Sequence, residues 1–380
     1  MLNGMNTHDV DAVVIGAGIA GASAAAFLAA DRRVALLEAE DAPGYHTTGR
    51  SAAIWIRNYG PSVVRDLTGL SRTFFEAPPP GFSDLPIMLH RPVLFVAPEE
   101  QLESMRGMLA GGLGLREITP EQARDIVPAF RPGWIRAAAM EDDAFDIDVA
   151  ALLQGYLRTL RRHGGILALR SRAERMQRHN GLWQVAVTDG TEFRAPVLVN
   201  AGGAWGDAVA RAAGVAPLGL QPKRRTGVII DPAPWAVTDW PMINDVAHTW
   251  YARPEARTLM MISPADETDL EPQDVQPDEL DIAIAVDRAQ QALDIEVRRV
   301  KHAWAGLRSF LPDRTLGIGW DAAAEGFMWC VGQGGYGIQT SPAAGRLVAD
   351  LVAGRDPGVI GRLLASLNPN RFAHHITAAT

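Results

Sequence analysis

The chain has one cysteine, Cys330, among its 380 residues. No intrachain disulfide can form, and a reducing compartment is the simpler reading. Long apolar runs are also missing. The longest suggestive stretch, Ile19 to Ala30, is far too short to cross a bilayer. Met1 to Asp9 is polar and lacks a basic segment followed by an apolar one. These absences lead us to expect a soluble cytoplasmic protein with no integral membrane segment. Positive charge is in deficit, 36 Lys+Arg against 44 Asp+Glu for a net −8, which argues against nucleic acid as the main partner. Lys223-Arg224-Arg225 is the one notable basic cluster. The nine histidines show no metal-ligand spacing, so no metal is expected; His374-His375 falls in a polar tail and reads as solvated. There is no internal repeat or low-complexity tract.

What is present is a soluble composition, 47% apolar, over a length sufficient for two domains. The most informative segment is Val10 to Glu38. Val13-Val14-Ile15 reads as a strand ending in Gly16, and Gly18 and Gly21 complete G-x-G-x-x-G around Ile19 and Ala20. Small residues from Ala22 to Ala26 suit a helix lying close to a sheet, Val34 to Leu37 reads as a second strand, and Glu38 follows it. Each part has a physical reason. The first glycine permits the tight turn, the second lets backbone approach a pyrophosphate, and the third brings helix and strand together. The helix N-terminus offers free N–H groups to phosphate, and Glu38 can accept from a ribose diol. This unit predicts dinucleotide binding without choosing between NAD and FAD.

Further along, Pro43 to Ser51 is rich in Gly, Ser and Thr and suits contact with a cofactor. Ala77-Pro-Pro-Pro-Gly81 marks a boundary. Strands are expected at 93–96, 185–187, 197–200, 228–230, 259–262 and 327–331. Helices are expected at 148–163 and 282–297, and from the capping box Thr119-Pro120-Glu121-Gln122. The acidic, proline-containing stretch from Pro264 to Asp281 reads as a solvated connection. Phe327 to Val331 runs into Gly332-Gln-Gly-Gly-Tyr-Gly337 and then a helix through Ser341-Pro342. The chain thus opens and closes with a strand, glycine turn and helix. That pattern predicts an α/β fold in which a Rossmann-like domain is interleaved with a β-rich one. The expected division is 1–84, 138–212 and 309–380 for the cofactor domain, and 85–137 and 213–308 for the substrate domain.

Six motifs in order, covering essentially the whole chain, resemble the FAD-dependent D-amino acid oxidase/dehydrogenase (DAO) superfamily. They are Gly16 to Ala22 with Glu38, Gly44 to Ala52, Leu198 to Trp205, Leu218 to Arg225, His302 to Phe310 and Gly332 to Thr340. Within the superfamily the likeness runs closest to the D-arginine dehydrogenase branch. The resemblance implies non-covalent FAD, contacted by Gly16, Gly18, Ile19, Ala20, Gly21, Glu38 and Ala39. It adds His46, Thr48, Gly49, Arg50 and Ser51, then Ala201, Gly202 and Trp205, and finally Gly334, Tyr336, Gly337, Ile338, Gln339 and Thr340. Cys330 lies in an apolar strand and reads as a buried thiol rather than a flavin tether.

The resemblance also implies oxidation of a D-amino acid, with hydride passing from Cα to flavin N5 and water hydrolysing the imine to a 2-oxo acid. Arg225 and Arg308 match the positions that clamp the α-carboxylate, Tyr59 and Tyr251 those whose hydroxyls reach it, and Gly335 the one whose carbonyl meets the amine. Ser51 to Ser62 matches a mobile lid. Three departures stand out. Val93 replaces an acid that faces a guanidinium substrate, and Ile54 and Ile56 replace polar residues. An unpaired buried guanidinium is costly, so the expected substrate side chain is apolar or neutral. A secondary amine or N-substituted amino acid, or a 2-hydroxy acid with His46 as base, are the alternatives. The electron acceptor, O2 or a quinone, stays open.

Overall fold

The computed structural model describes residues 6–372; His374-His375 lies outside them. A six-stranded sheet forms the first layer. Its spatial order is Ile166–Ala168, Val34–Leu37, Ala12–Ile15, Val197–Asn200, Phe327–Val331 and Gly317–Trp320. The first five strands run parallel and the sixth pairs antiparallel with the fifth. Side chains alternate between two cores, as the period of two in a strand requires. Ala12 and Val14 face helices, while Val13 and Ile15 face a second sheet through Trp183 and Phe193. The helices are Ile19–Leu28, Ser62–Glu76, Val149–Arg162 and Gly337–Val352. The second sheet is four-stranded, ordered Thr7–Asp9, Glu192–Ala195, Leu182–Val187 and Ala173–His179. A parallel sheet buried on both faces explains why its strands read as unbroken apolar runs.

The other half of the molecule is built on an eight-stranded sheet. Its order is His302–Phe310, Gln221–Ile230, Leu259–Ser263, Tyr251–Glu255, Met242–Asp245, Val93–Ala97, Ala137–Glu141 and Leu115–Ile118. Leu94 and Val96 face a core shared with the helix Glu279–Ala292, whereas Val93 and Phe95 face the opposite side with Ile56, Met242 and Tyr251. The α/β expectation therefore holds: a Rossmann-type layer is interleaved with a β-rich one. The division drawn at 137/138 nonetheless falls inside the strand Ala137–Glu141, which pairs with Val93–Ala97 in the large sheet.

Two local expectations need revision. The helix expected over 282–297 runs Glu279–Ala292, capped by the Asp278 side chain. It ends early because Leu293 bridges to Phe130 and the Asp294 N–H bonds the Ala129 carbonyl. The stretch from Pro264 to Asp281 is no solvated connection. Asp266 accepts from the Thr226 amide at 2.7 Å, Asp281 pairs with Arg224 at 2.7 Å, and Asp269 pairs with Lys223. This acidic stretch is the counter-charge of the basic cluster. By contrast, Thr119 and Gln122 form the expected capping box, and Pro342 lies inside the helix Gly337–Val352.

Candidate functional site

The strand Ala12–Ile15 delivers Gly16 at the carboxyl edge of the parallel sheet. Gly16 has φ +98°, and a Cβ there would sit 2.6 Å from the Ala201 carbonyl oxygen. Any side chain on Gly21 would collide with the Gly16 carbonyl, so the third glycine serves helix–strand packing. Gly18 differs: its φ is −69°, and a Cβ would meet only the Thr48 hydroxyl at 3.4 Å. The protein's own packing does not demand glycine there. The space it leaves opens on the N-terminus of the helix Ile19–Leu28, which has no side-chain cap of its own. Thr48 reaches over from the 3-10 turn Thr48–Arg50 to accept from the Ile19 N–H at 3.0 Å. Glu38 is held in place by the Ala17 and Glu40 N–H groups at 2.8 and 3.0 Å.

Gly16, Gly18, Ile19, Glu38 and Thr48 line a long cleft together with His46, Arg50, Ser51, Ala201, Gly202 and Trp205. Gly334, Gly337 and Ile338 close its far end. His46 bonds Glu40 at 3.1 Å and lies against the Trp205 ring at 4.5 Å. Arg50 lines the cleft but commits its guanidinium to the Val275 and Ala305 carbonyls and to Asp274. It therefore ties the cofactor layer to the acidic stretch. Six expected cofactor residues do not line the cleft. Gly21 is packing, Ala39 lies beyond it, and Gly49 closes its turn by bonding the Gly44 carbonyl at 2.8 Å. Thr340 turns its hydroxyl to the Tyr336 carbonyl at 2.9 Å, inside the helix. Gln339 links Thr68 and the Ile56 backbone. Tyr336 and Gln339 face a second chamber instead. Cys330 is fully buried, off the cleft, and burial pushes its thiol up to about 12.

That second chamber is a cavity of about 530 Å³, within the size range of small-molecule sites. Arg225, Arg308, Tyr251 and Gly335 line both spaces and so form the wall between them. Strand pairing explains the juxtaposition. His302–Phe310 lies antiparallel to Gln221–Ile230, with Arg308 opposite Lys223 and Gly306 opposite Arg225. The two arginines differ in their commitments. Arg225 gives its Nε to the Asp266 carbonyl at 2.9 Å and its Nη2 to Glu267 at 3.2 Å. Arg308 donates to the Tyr59 hydroxyl at 2.9 Å and has no carboxylate partner among the described residues. Burial alone would raise the Tyr59 hydroxyl, but the Arg308 and Arg225 charges outweigh it and hold it below its ordinary value.

Tyr59 sits on the segment expected to be a lid. The Glu141 carboxylate accepts from the backbone N–H groups of Arg57 and Asn58, at 2.5 and 3.3 Å, and from the Asn58 side-chain amide at 2.8 Å. Burial raises the Glu141 carboxyl, offset in part by those bonds. Ile54 and Ile56 line the cavity. Val93 does not: it is fully buried and packs in the core with Ile56, Met242 and Tyr251. The cavity also has charged residues that the sequence did not suggest. Glu267 bridges Arg225 and Arg314, the latter at 2.7 and 2.9 Å. Burial would raise the Glu267 carboxyl, but Arg314 and Arg225 hold it below its usual range. His248, at φ +55°, presents its ring 6.0 Å from that of Tyr59. Its loop is fixed by Asp245, which accepts from the Thr249 and Trp250 amides. Partial loss of hydration, joined by the charges of Arg225 and Arg65, pushes the imidazole of the exposed His248 down, despite Asp245.

Residues 11–351 match the family model described as DAO, FAD dependent oxidoreductase. The chain belongs to that family. Among curated relatives it is 27% identical over 191 residues to the FAD-dependent oxidoreductase domain-containing protein 1 of Xenopus laevis, covering 46% of this chain and 38% of that protein. The match thus spans well under half of that relative's length. Among solved structures, glycine oxidase from Geobacillus kaustophilus superposes with TM-score 0.83 at 19% identity, covering 96% of this chain and 99% of that chain. L-amino acid deaminase from Proteus vulgaris gives TM-score 0.81 at 16% identity, covering 97% and 99%. These likenesses show the DAO fold. The cofactor is FAD, and the cleft fits it: the room left at Gly18, the open helix N-terminus and the oriented Glu38 suit a diphosphate and a ribose. No group of three or more acidic, His or Cys side chains suited to a metal occurs among the described residues, and none of their helices is long and apolar enough to cross a membrane.

Proposed function

We propose that the chain oxidises the CH–N bond of a D-amino acid to the imine, which water hydrolyses to a 2-oxo acid. Bound FAD supplies the hydride acceptor. The observation that carries this reading is Arg308. It is a guanidinium without a carboxylate partner among the described residues, in the wall shared by the cofactor cleft and the cavity, with Tyr59 on it and Tyr251 in the same wall. A carboxylate there would form charge-assisted bonds that orient Cα toward the cleft. Arg225 braces the wall through Glu267 and adds positive charge beside the same anion. The Gly335 carbonyl receives the amine. A substrate bound as the free amine needs no dedicated base. The match of Tyr59, Arg225, Tyr251 and Arg308 to positions of the D-arginine dehydrogenase branch supports the D configuration. The repulsion of Arg308, Arg225 and Arg314 disfavours cationic side chains, and Ile54 and Ile56 favour an aliphatic stem. A cavity of about 530 Å³ exceeds the needs of a small amino acid, which favours N-substituted amino acids as the second reading. A cytoplasmic location completes the proposal, supported by the buried, unpaired thiol of Cys330.

The test is anaerobic mixing of the yellow holoprotein with D-amino acids, their L enantiomers, N-alkyl amino acids, 2-hydroxy acids and simple amines. D-amino acids should bleach the flavin, and amines without a carboxylate should not. Bleaching by alkylamines but by no amino acid would refute the reading. Faster bleaching by L enantiomers would refute its stereochemistry.

A further inference from the structure

The cavity holds more positive charge than its own acids neutralise. Arg65, Arg225, Arg308 and Arg314 line it against Glu267 alone. Glu267 is already shared by Arg314 and Arg225. Arg65 resembles Arg308 in having no carboxylate partner among the described residues. It donates its Nε to the Gly60 carbonyl at 3.0 Å and its Nη1 to the Gly111 carbonyl at 3.1 Å. Carbonyl dipoles fix the guanidinium without cancelling its charge. The acids behind the wall offer it no partner. Asp245 is fully buried and occupied by Thr249, Trp250 and Gln101. Glu141 is buried on Arg57 and Asn58.

The two unneutralised guanidiniums are held at different points of the cavity lining. Arg308 is held at the Tyr59 hydroxyl, whereas Arg65 is held at the Gly60 and Gly111 carbonyls, so they share no partner. The aliphatic surface of Ile54, Ile56 and Met242 belongs to the same chamber. One space therefore combines two separate anion positions with an apolar wall.

We propose that the cavity is a two-anion site that selects substrates with a second carboxylate at the end of a short aliphatic chain. The inner carboxylate lies on Arg308 and the outer one on Arg65. This rests on the reading of Arg308 as the anchor of an amino acid carboxylate, and it replaces the apolar or neutral side chain expected from the sequence with an aliphatic stem that ends in an acid. A charge-assisted bond in a partly enclosed site is worth roughly tenfold or more in affinity.

The experiment pairs isosteres on the holoprotein: D-glutamate with D-glutamine, and D-2-aminoadipate with D-norleucine. The acid should exceed its neutral partner by about tenfold in kcat/KM, and added salt should shrink the gap. Arg65→Gln should abolish the preference, and Arg65→Lys should keep part of it. Glutarate should perturb the flavin absorbance at lower concentration than butyrate. Equal or better turnover of the neutral partners by the wild-type protein would overturn the second anion position while leaving the D-amino acid reading intact. If no amino acid bleaches the flavin, that reading fails by itself. Glutarate binding no tighter than butyrate would then overturn the subsite independently.

Discussion

The Arg308 guanidinium donates to the Tyr59 hydroxyl at 2.9 Å across the wall between cleft and cavity. The bond does two things. It fixes the fork of the guanidinium, and it holds the phenol below its ordinary pKa against the opposing effect of burial. Tyr59→Phe removes one donor to the substrate and frees the fork, so kcat/KM should fall about tenfold. Arg308→Met removes the anchor itself and should cost roughly a hundredfold or more, at about 1.5–3 kcal/mol for each charge-assisted bond. The Arg308 variant should also raise the Tyr59 pKa, visible as a shift of tyrosinate absorbance to higher pH. An unshifted titration together with unchanged kinetics would show that the pair is decorative.

Gly335 provides an independent probe of the same pair. A Cβ at this position would lie 2.8 Å from the Tyr59 hydroxyl and 2.9 Å from Arg308 Nη1. Gly335→Ala should therefore separate the two side chains while leaving the other cleft glycines untouched. FAD content should stay full, and kcat/KM should drop by roughly tenfold to a hundredfold, as expected for misplacing an orienting group. Loss of flavin with the activity would place the damage in the fold instead.

The cofactor unit was readable because its chemistry is local. A strand, Gly16, Gly18, a small-residue helix and Glu38 lie within one supersecondary unit. The strands at 34–37, 197–200 and 327–331 announced themselves as apolar runs buried on both faces. The cavity was less legible because long-range pairing assembles it. Glu267 reaches Arg225 from 42 positions away, and Arg65 is fixed by Gly111 in another layer. Val93 shows the limit of matching single positions. It alternates with Leu94 in a strand buried on both sides, and its face packs beneath the cavity behind Ile56 and Tyr251. Ala137–Glu141 was missed because three alanines carry little strand signal. The acidic stretch after Pro264 was misjudged because its partners, Lys223 to Arg225, are on another strand.

Glu267 makes stability depend on pH in a defined direction. Arg314 and Arg225 hold its carboxyl below the ordinary 4.5. A depressed carboxyl contributes stability above its unfolded pKa, and that contribution is lost as pH falls through the folded value. The window therefore lies below about 4.5. Glu267→Gln should cost about 1 kcal/mol at pH 7, because the site is partly solvated. The cost should vanish at acid pH, where the wild-type carboxyl is protonated too. Urea unfolding midpoints at neutral and acid pH measure this. A cost that grows on acidification would reverse the assigned sign.

Gly16 and Gly18 separate folding from cofactor binding within one turn. Gly16 is constrained by the protein: φ is +98° and a Cβ would press on the Ala201 carbonyl at 2.6 Å. Gly16→Ala should destabilise the apoprotein by about 1–3 kcal/mol from backbone strain and the displaced strand. Gly18 has an ordinary φ of −69° and meets only the Thr48 hydroxyl at 3.4 Å. Gly18→Ala should leave apoprotein unfolding near wild type while weakening FAD at least about tenfold, because the added methyl occupies the approach of the diphosphate to the helix N-terminus. Unfolding of apoprotein and flavin titration, measured on both variants, read the two effects separately. If Gly18→Ala instead matched Gly16→Ala in apoprotein stability and bound FAD normally, the middle glycine would be serving the fold, and the diphosphate would have to approach by another route.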